Sequence, residues 1–330
     1  MALIVITLIL FTPISLVSAQ TTYSPLFNGE NAYDYLVAQC DFGPRPPGSN
    51  NLSECREYIA DTLTALGWSV SLQNFTYREV ECSNIIASWP VQNASIIILG
   101  AHYDTRPHAD QESDPDNRTL PILGANDGGS GVAALLELAS VLPEASRSSV
   151  EMVFFDAEDS GYIDGWDWIV GSTYYVDQMS SAKIASVSAM ILLDMIGDTN
   201  LRIPREASST DSLQDTIYSL AAELGHDDIF PDISGSSILD DHRPFLSAGI
   251  SSVDLIHTPF PWTWHTLHDT PEHCSPVSLE AVGQVVETFI IEMTTTNSTF
   301  TTDPSGDYTL LIIAVLIIAP IVIICFYKRK

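Results

Sequence analysis

Basic residues are scarce in this chain. Lysine and arginine together number 13 among 330 residues, against 42 aspartates and glutamates, and the formal net charge is −29. Because an acidic surface repels polyanions, this composition excludes a nucleic-acid-binding protein. A solvated acidic coat accounts for the excess more simply than a specific cationic partner does.

Cysteine is also scarce, and none of the five cysteines has the CxxC spacing of a thiolate metal site. Four of them lie outside the apolar run near the C-terminal end, and an oxidising compartment would permit two disulfides among them, in three alternative pairings. These four are Cys40, Cys55, Cys82 and Cys274. The pairing stays open at this point.

Long apolar runs lie at the two ends of the chain. The first, residues 1–19, ends in Val17-Ser18-Ala19 and predicts a secretory signal, with an uncleaved anchor as the alternative because basic residues are missing from its start. The second, residues 309–327, has the length of a bilayer-spanning helix and is followed by three basic residues. We therefore expect a membrane-anchored protein whose main part faces the extracellular space or a lumen. The predicted segments are a signal peptide at 1–19, a catalytic domain at 20–294, a Thr/Ser-rich stalk at 295–308, a transmembrane helix at 309–327 and a basic cytoplasmic tail at 328–330.

Five Asn-x-Ser/Thr sequons fit the same location, because such sites are glycosylated on exported surfaces. They start at Asn51, Asn74, Asn93, Asn117 and Asn297. A single sequon occurs readily by chance, so the prediction of a glycoprotein depends on the set rather than on any one site.

Strand and helix patterns alternate through the middle of the chain, without an internal repeat. Strand patterns occur at 68–77, 83–89, 94–104, 150–159, 188–197 and near Ser251, and helical spacing occurs at 31–40, 52–66, 131–142, 212–225 and 276–294. This alternation predicts a single α/β domain, a three-layer sandwich in which a mixed, mostly parallel sheet lies between helices.

Acids and histidines follow the ends of these strands, where α/β folds bind their ligands. Taken singly, each fits a structural role, such as a hydrogen-bonded core histidine, a turn residue or a helix cap. Together they would place several unpaired acids at one buried edge, at a cost of several kcal/mol each, unless a cation neutralises them. Mixed histidine and carboxylate ligands suit zinc. The residues concerned are His102, Asp104, Asp127, Glu158, Asp159, Asp194 and His265.

The ordered motifs HYD, GANDGGSG, FFDAED, LLDMIG and WHT resemble those of the family-28 zinc aminopeptidases and of their relatives, the animal and bacterial glutaminyl cyclases. The resemblance covers residues 31–294. It implies that Asp127, Asp159 and His265 bind a zinc ion and that Glu158 moves protons without binding the metal.

His102 and Asp194 do not distinguish the two branches. In the aminopeptidases the matching residues hold a second zinc, with Asp127 as the bridging ligand, whereas cyclases keep similar residues and work with one zinc. The resemblance therefore implies one zinc ion, or two in the aminopeptidase branch.

A segment near the C-terminal end of the domain favours the cyclases. DDHRPFLSAGISSVDLIHTPFPWTWHT, residues 240–266, resembles their DDHxPFL and PFPxxWHT motifs. By this match Asp240 hydrogen-bonds the substrate, with His242 positioning it, while Phe260 and Trp264 form walls of the substrate pocket. A helix cap and an ordinary packed aromatic loop are the structural alternatives.

Other positions depart from the animal cyclases. Asp159 stands where they commonly carry Glu, and the Trp that follows their paired acids is missing at the matching place, although Trp166 and Trp168 lie just beyond it. The acidic segment 110–121 lies between two metal motifs, and we expect a solvated loop there rather than a rim of the pocket.

The resemblance implies a zinc-dependent glutaminyl-peptide cyclotransferase, which converts the N-terminal Gln of peptides to pyroglutamate and releases ammonia. The first alternative is a zinc aminopeptidase that hydrolyses N-terminal residues. The second is an inactive, membrane-tethered binding module. Expected partners are peptides, bound through their N-terminus, and the membrane.

Overall fold

The computed structural model describes residues 23–296. The predicted signal peptide, the transmembrane helix, the basic tail and all but the first two residues of the stalk lie outside the described residues. Within residues 23–296, no helix has the length and apolar character needed to cross a membrane.

A six-stranded mixed sheet forms the centre of the domain, with strands in the order β1-β2-β4-β3-β5-β6. Strands β1 and β2 form an antiparallel hairpin, and β2 pairs antiparallel with β4. Strands β4, β3, β5 and β6 run parallel to one another. The strands are β1 (Ser69–Tyr77), β2 (Val80–Ser88), β3 (Ile96–His102), β4 (Val150–Phe155), β5 (Val187–Asp194) and β6 (Ser252–Ile256). The prediction of a mixed, mostly parallel sheet is confirmed.

Helices cover both faces of this sheet. The α-helices among residues 23–296 are α1 (Gly29–Cys40), α2 (Asn50–Ala65), α3 (Gly129–Val141), α4 (Glu144–Arg147), α5 (Val170–Asp177), α6 (Ser181–Ser186), α7 (Asp211–Leu224), α8 (His242–Ser247) and α9 (Pro276–Thr296). Side chains alternate between the two faces of a strand. In β3, Ile97 and Leu99 pack into a large core with α1, α2, α3, α7 and α9, whereas Ile96 and Ile98 pack into a smaller core with α5 and α8. The chain thus forms the predicted layers.

Local sequence explains where several elements begin and turn. The side chains of Asn28 and Ser49 cap the first turns of α1 and α2. Helix α3 lies close against the sheet because Gly131 has no side chain, and a Cβ there would be 2.1 Å from the Leu193 carbonyl oxygen. This close packing places the N-terminal end of α3 beside the ends of the parallel strands.

The cysteines do not form the disulfides that the sequence permits. Cys40, Cys55, Cys82 and Cys274 are buried free thiols. Each packs in the hydrophobic interior as a small apolar side chain. The described part of the domain is therefore held together by its core rather than by cross-links.

Candidate metal centre and substrate pocket

Asp127, Asp159 and His265 come together beyond the carboxyl ends of the parallel strands. Each is buried, and one ligand atom from each lies within 4.8 Å of the others. His265 Nε2 is 3.5 Å from Asp127 Oδ2 and 3.2 Å from Asp159 Oδ1. The structure thus groups three residues that lie up to 138 positions apart in the chain.

This group fits a divalent metal ion. The Oδ2 atoms of Asp127 and Asp159 are buried without a hydrogen-bond partner, and a buried carboxylate oxygen with no partner is costly. A cation held between the two aspartates and His265 would satisfy both oxygens. One imidazole nitrogen and two carboxylates are ligands that zinc accepts.

A second group shares Asp127 with the first. His102 Nε2 lies 3.1 Å from Asp127 Oδ1 and 3.3 Å from Asp194 Oδ1, and the three residues form another set with metal-ligand spacing. Burial lowers the pKa of His102, but the carboxylates of Asp104, Asp127 and Asp194 outweigh it and raise the pKa well above its ordinary range. Asp127 lies between the two groups, as a bridging ligand would.

Glycines and a buried aspartate determine the position of Asp127. Gly128, at φ 93°, begins α3, and a Cβ there would lie 2.6 Å from the Asp104 carbonyl oxygen. Asp269 accepts hydrogen bonds from the main-chain N–H groups of Asn126 at 2.8 Å and Asp127 at 3.0 Å. The motif analysis missed Asp269, which ties the loop of Asp127 to the segment that carries His265.

Glu158 lies beside the first group but belongs to neither set of ligands. Burial raises the pKa of its carboxyl well above the ordinary range. A carboxyl whose pKa is raised is a stronger base than an ordinary glutamate and can return the proton as an acid, so it is suited to general acid and base catalysis.

A pocket of about 250 Å³ opens onto the first group. Its floor carries Asp127, Glu158, Asp159, Asp194 and Asp240, and its aromatic wall includes Phe260, Trp264 and Trp168. The rings of Phe260 and Trp264 are 4.5 Å apart, and Trp264 stacks on the His265 ring at 3.8 Å. The structure therefore brings together every residue that the sequence assigned to the pocket.

Trp168 forms a further part of this wall. Its ring is stacked with that of His265, with centroids 6.1 Å apart and planes at 13°. The indole passes over Gly161, where a Cβ would lie 2.0 Å from a ring atom. Sequence spacing alone did not separate Trp168 from Trp166, which packs with Tyr77 instead.

Asp240 lies in the pocket. Burial, together with the charge of Asp194, raises the pKa of Asp240 to about 7, while His242 opposes this rise. The imidazole of His242 lies between two other acids, with Nε2 3.4 Å from Glu206 Oε2 and Nδ1 3.6 Å from Asp254 Oδ2. That His242 positions Asp240 stays a prediction.

The segment 110–121 lines no part of the pocket, and most of it is exposed. Its first residue is an exception. Asp110 Oδ1 lies 3.3 Å from Nδ1 of His265, behind the ligand ring. The expectation of a solvated loop describes most of the segment but misses this contact.

Comparison with known proteins identifies the family. The sequence profile described as peptidase family M28 matches residues 84–290. The chain belongs to peptidase family M28. The prediction of this superfamily from the five motifs is confirmed.

Relatives of this M28 chain come from both branches. Among solved structures, a Bacteroides thetaiotaomicron glutaminyl cyclase bound to N-acetylhistamine is 35% identical, with a TM-score of 0.76 over 81% of this chain and 99% of that one. A Zn-dependent exopeptidase from Parabacteroides distasonis is 33% identical, with a TM-score of 0.75 over 81% of this chain and 98% of that one. The glutaminyl-peptide cyclotransferase-like protein of Bos taurus is 26% identical over 75% of this chain and 72% of its own length. The chain is thus similar to an exopeptidase and to cyclases alike.

Proposed function

We propose that this M28 chain is a zinc-dependent glutaminyl-peptide cyclotransferase. It converts the N-terminal Gln of a peptide to pyroglutamate and releases ammonia. One observation carries this proposal: a set of metal ligands opens onto a small pocket with aromatic walls, with Glu158 buried beside both. The similarity to glutaminyl cyclases over more than four-fifths of the chain supports it.

Asp127, Asp159 and His265 would hold the zinc ion. Bound zinc acts as a Lewis acid that polarises an amide carbonyl group. The remaining chemistry belongs to the protein. The pocket is small, and its aromatic walls leave less room for water that would compete with an internal nucleophile.

Glu158 has the position needed to move the proton, and its raised pKa makes its carboxylate a stronger base than that of an ordinary glutamate. The α-amine nitrogen of the substrate attacks the carbon of its own side-chain amide, a C–N bond forms, and the bond to the amide nitrogen breaks. Glu158 accepts the proton of the attacking amine and donates it to the nitrogen that leaves as ammonia. Asp240, on the pocket floor, would hydrogen-bond the substrate and hold it in position for this attack.

A second candidate is a zinc aminopeptidase. The observation that favours it is the sharing of Asp127 by two ligand sets, because a second metal held by His102 and Asp194 would give the two-metal arrangement that stabilises attack by water. Glu158 would then take a proton from that water instead of from the substrate amine.

The two reactions release different products from the same assay. Full-length protein purified in detergent is incubated with Gln-Ala and Leu-Ala peptides, and ammonia, pyroglutamyl peptide and free amino acids are quantified by mass spectrometry. Ammonia with pyroglutamyl-Ala from the first peptide, and nothing from the second, is the expected result. Free leucine without ammonia would establish the aminopeptidase instead. A protein that binds no zinc and makes neither product would be the binding module.

We also propose that the domain is exported and tethered through residues 309–327, with the segment boundaries given above. The exposed positions of Asn74 and Asn93 support glycosylation of this surface. Treatment of the cellular protein with an N-glycosidase should lower its apparent mass, and the protein should stay with membranes after alkaline carbonate extraction. A soluble protein of unchanged mass would contradict both parts.

A further inference from the structure

Arg106 is a buried arginine that lies behind the metal ligands rather than in the pocket. Its side chain is 3% exposed. Nη1 donates to Asp159 Oδ1 at 3.2 Å and to the Asp159 main-chain oxygen at 3.3 Å. Nε and Nη2 donate to the two carboxylate oxygens of Asp110 at 3.1 and 2.6 Å. The planar guanidinium thus pairs with Asp110 through two hydrogen bonds, and its remaining nitrogen, Nη1, binds Asp159, a proposed metal ligand.

Asp110 extends this contact to a second ligand. Its Oδ1 lies 3.3 Å from Nδ1 of His265, while Nε2 of the same ring faces Asp127 and Asp159. A carboxylate on one ring nitrogen fixes the tautomer in which the other nitrogen is free to bind a metal.

Arg106 also supports the pocket wall. Its guanidinium carbon lies 4.7 Å from the centre of the Trp168 ring, and Nη2 donates to the Gly161 main-chain oxygen at 3.3 Å. Trp168 in turn stacks on His265. The single cationic side chain of Arg106 therefore contacts one proposed metal ligand (Asp159), the carboxylate beside another (Asp110, next to His265), and an aromatic ring of the pocket wall (Trp168).

We propose that Arg106 and Asp110 are positioning residues that set the zinc affinity of the site by fixing the side chains of Asp159 and His265. Partners of this kind typically contribute 10- to 100-fold to metal affinity. A metal ligand that must first be ordered binds more weakly than one already held, so each lost contact should raise the zinc dissociation constant. The inference rests on the metal site of the proposed function and not on which reaction follows.

The test measures zinc affinity directly. Full-length protein in detergent is titrated with zinc against a fluorescent chelator, and the Co²⁺-substituted protein is recorded by visible absorption, which reports ligand geometry. The variants are Arg106→Met and Asp110→Ala. The conservative variants are Arg106→Lys and Asp110→Asn. Lysine keeps the positive charge but not the paired N–H donors of the guanidinium, and asparagine keeps an oxygen acceptor for Nδ1 of His265. The controls are Arg118→Met and Asp116→Ala, two exposed residues of the same loop.

We expect a 10- to 100-fold rise in the zinc dissociation constant and an altered Co²⁺ spectrum for Arg106→Met and Asp110→Ala. Arg106→Lys and Asp110→Asn should recover part of the affinity, and both controls should match the wild type. If Arg106→Met fails to fold, the Asp110 pair decides, because Asp110 is partly exposed and its replacement leaves the core intact. Wild-type affinity and spectra in Asp110→Ala and Arg106→Lys would overturn the proposal. The titration contains no peptide. Its result therefore does not depend on whether the protein is a cyclase or an aminopeptidase.

Discussion

The carboxylate of Asp104 holds the main chain of Glu158 in place. Asp104 Oδ1 accepts the N–H of Glu158 at 3.0 Å, and Oδ2 accepts the N–H of Asp159 at 3.1 Å. Asp104 follows β3 and Glu158 follows β4, so these two bonds join the ends of neighbouring parallel strands. The residue proposed to transfer the proton and a proposed metal ligand are thus fixed together by an acid that does not line the pocket.

Replacing Glu158 by Gln should separate metal binding from turnover. The main-chain bonds to Asp104 do not depend on the side chain, so we expect the protein to fold and to retain its zinc. The rate should fall by about 10²- to 10⁴-fold, the range that general acid–base catalysis contributes. Zinc is measured by elemental analysis and turnover by ammonia release, with Glu144→Gln, an exposed position in α4, as the control. Undiminished turnover in Glu158→Gln would refute its assigned role.

Replacing His265 by Ala should remove the metal. The ring is the only imidazole in the group with Asp127 and Asp159, and its loss leaves two buried aspartates with no nitrogen ligand. Zinc content after dialysis should drop to background, and activity should drop with it. His226→Ala is a suitable control because that histidine contacts Gln284, outside the site. Full zinc occupancy in His265→Ala would show that the ligand assignment is wrong.

Gly161 should be intolerant of a side chain because Trp168 occupies the space. Gly161→Ala would place a methyl group against the indole and push the ring out of its position beside His265. We expect KM to rise about tenfold, equivalent to about 1.4 kcal/mol of binding, with a smaller change in kcat. Trp168→Ala should raise KM similarly. If both act through the same ring, the double variant should be no worse than the worse single variant, and additive effects would contradict this account.

Asp156 should make the stability of the metal-free domain depend on pH. It is fully buried behind β4, and one of its oxygens has no hydrogen-bond partner. Burial, with the charge of Asp104 adding to its effect, raises its pKa to about 7. Between about pH 4 and pH 7 the folded chain holds a proton that the unfolded chain has released, so stability should fall as the pH rises through this window.

The size of this effect follows from linkage. One such group lowers the free energy of unfolding by about 1.4 kcal/mol for each unit that the pH rises within the window. Asn cannot ionise, so in Asp156→Asn the unfolding free energy should fall less steeply with pH than in the wild type. Asp116→Asn, at an exposed position, should keep the wild-type dependence on pH. The measurement is urea unfolding of chelator-treated protein at pH 5, 6 and 7. Equal slopes for wild type and Asp156→Asn would contradict the buried, protonated state.

The strands and the ligands could be predicted because each has a local signal. An apolar run such as Val150–Phe155 can hardly be anything but a buried strand, and the acids after it mark the ligand-binding edge of the sheet. Asp127 is signalled by the glycines that follow it, which the sharp entry into α3 requires.

The supporting residues could not be predicted in this way. Arg106, Asp110 and Asp269 carry no motif, and their roles depend on which loops meet after folding. The same holds for His242, since its partners Glu206 and Asp254 lie on other parts of the chain. Side-chain pairing across loops is a tertiary property that linear spacing does not encode.

The bonds from Asn126 and Asp127 to Asp269 have one more consequence. They are made within the polypeptide and need no ion, so the loop of Asp127 is tied to the segment of His265 before any metal binds. This tie would stay in place when a bound metal is removed, and a chelator-treated chain should take up zinc again without refolding.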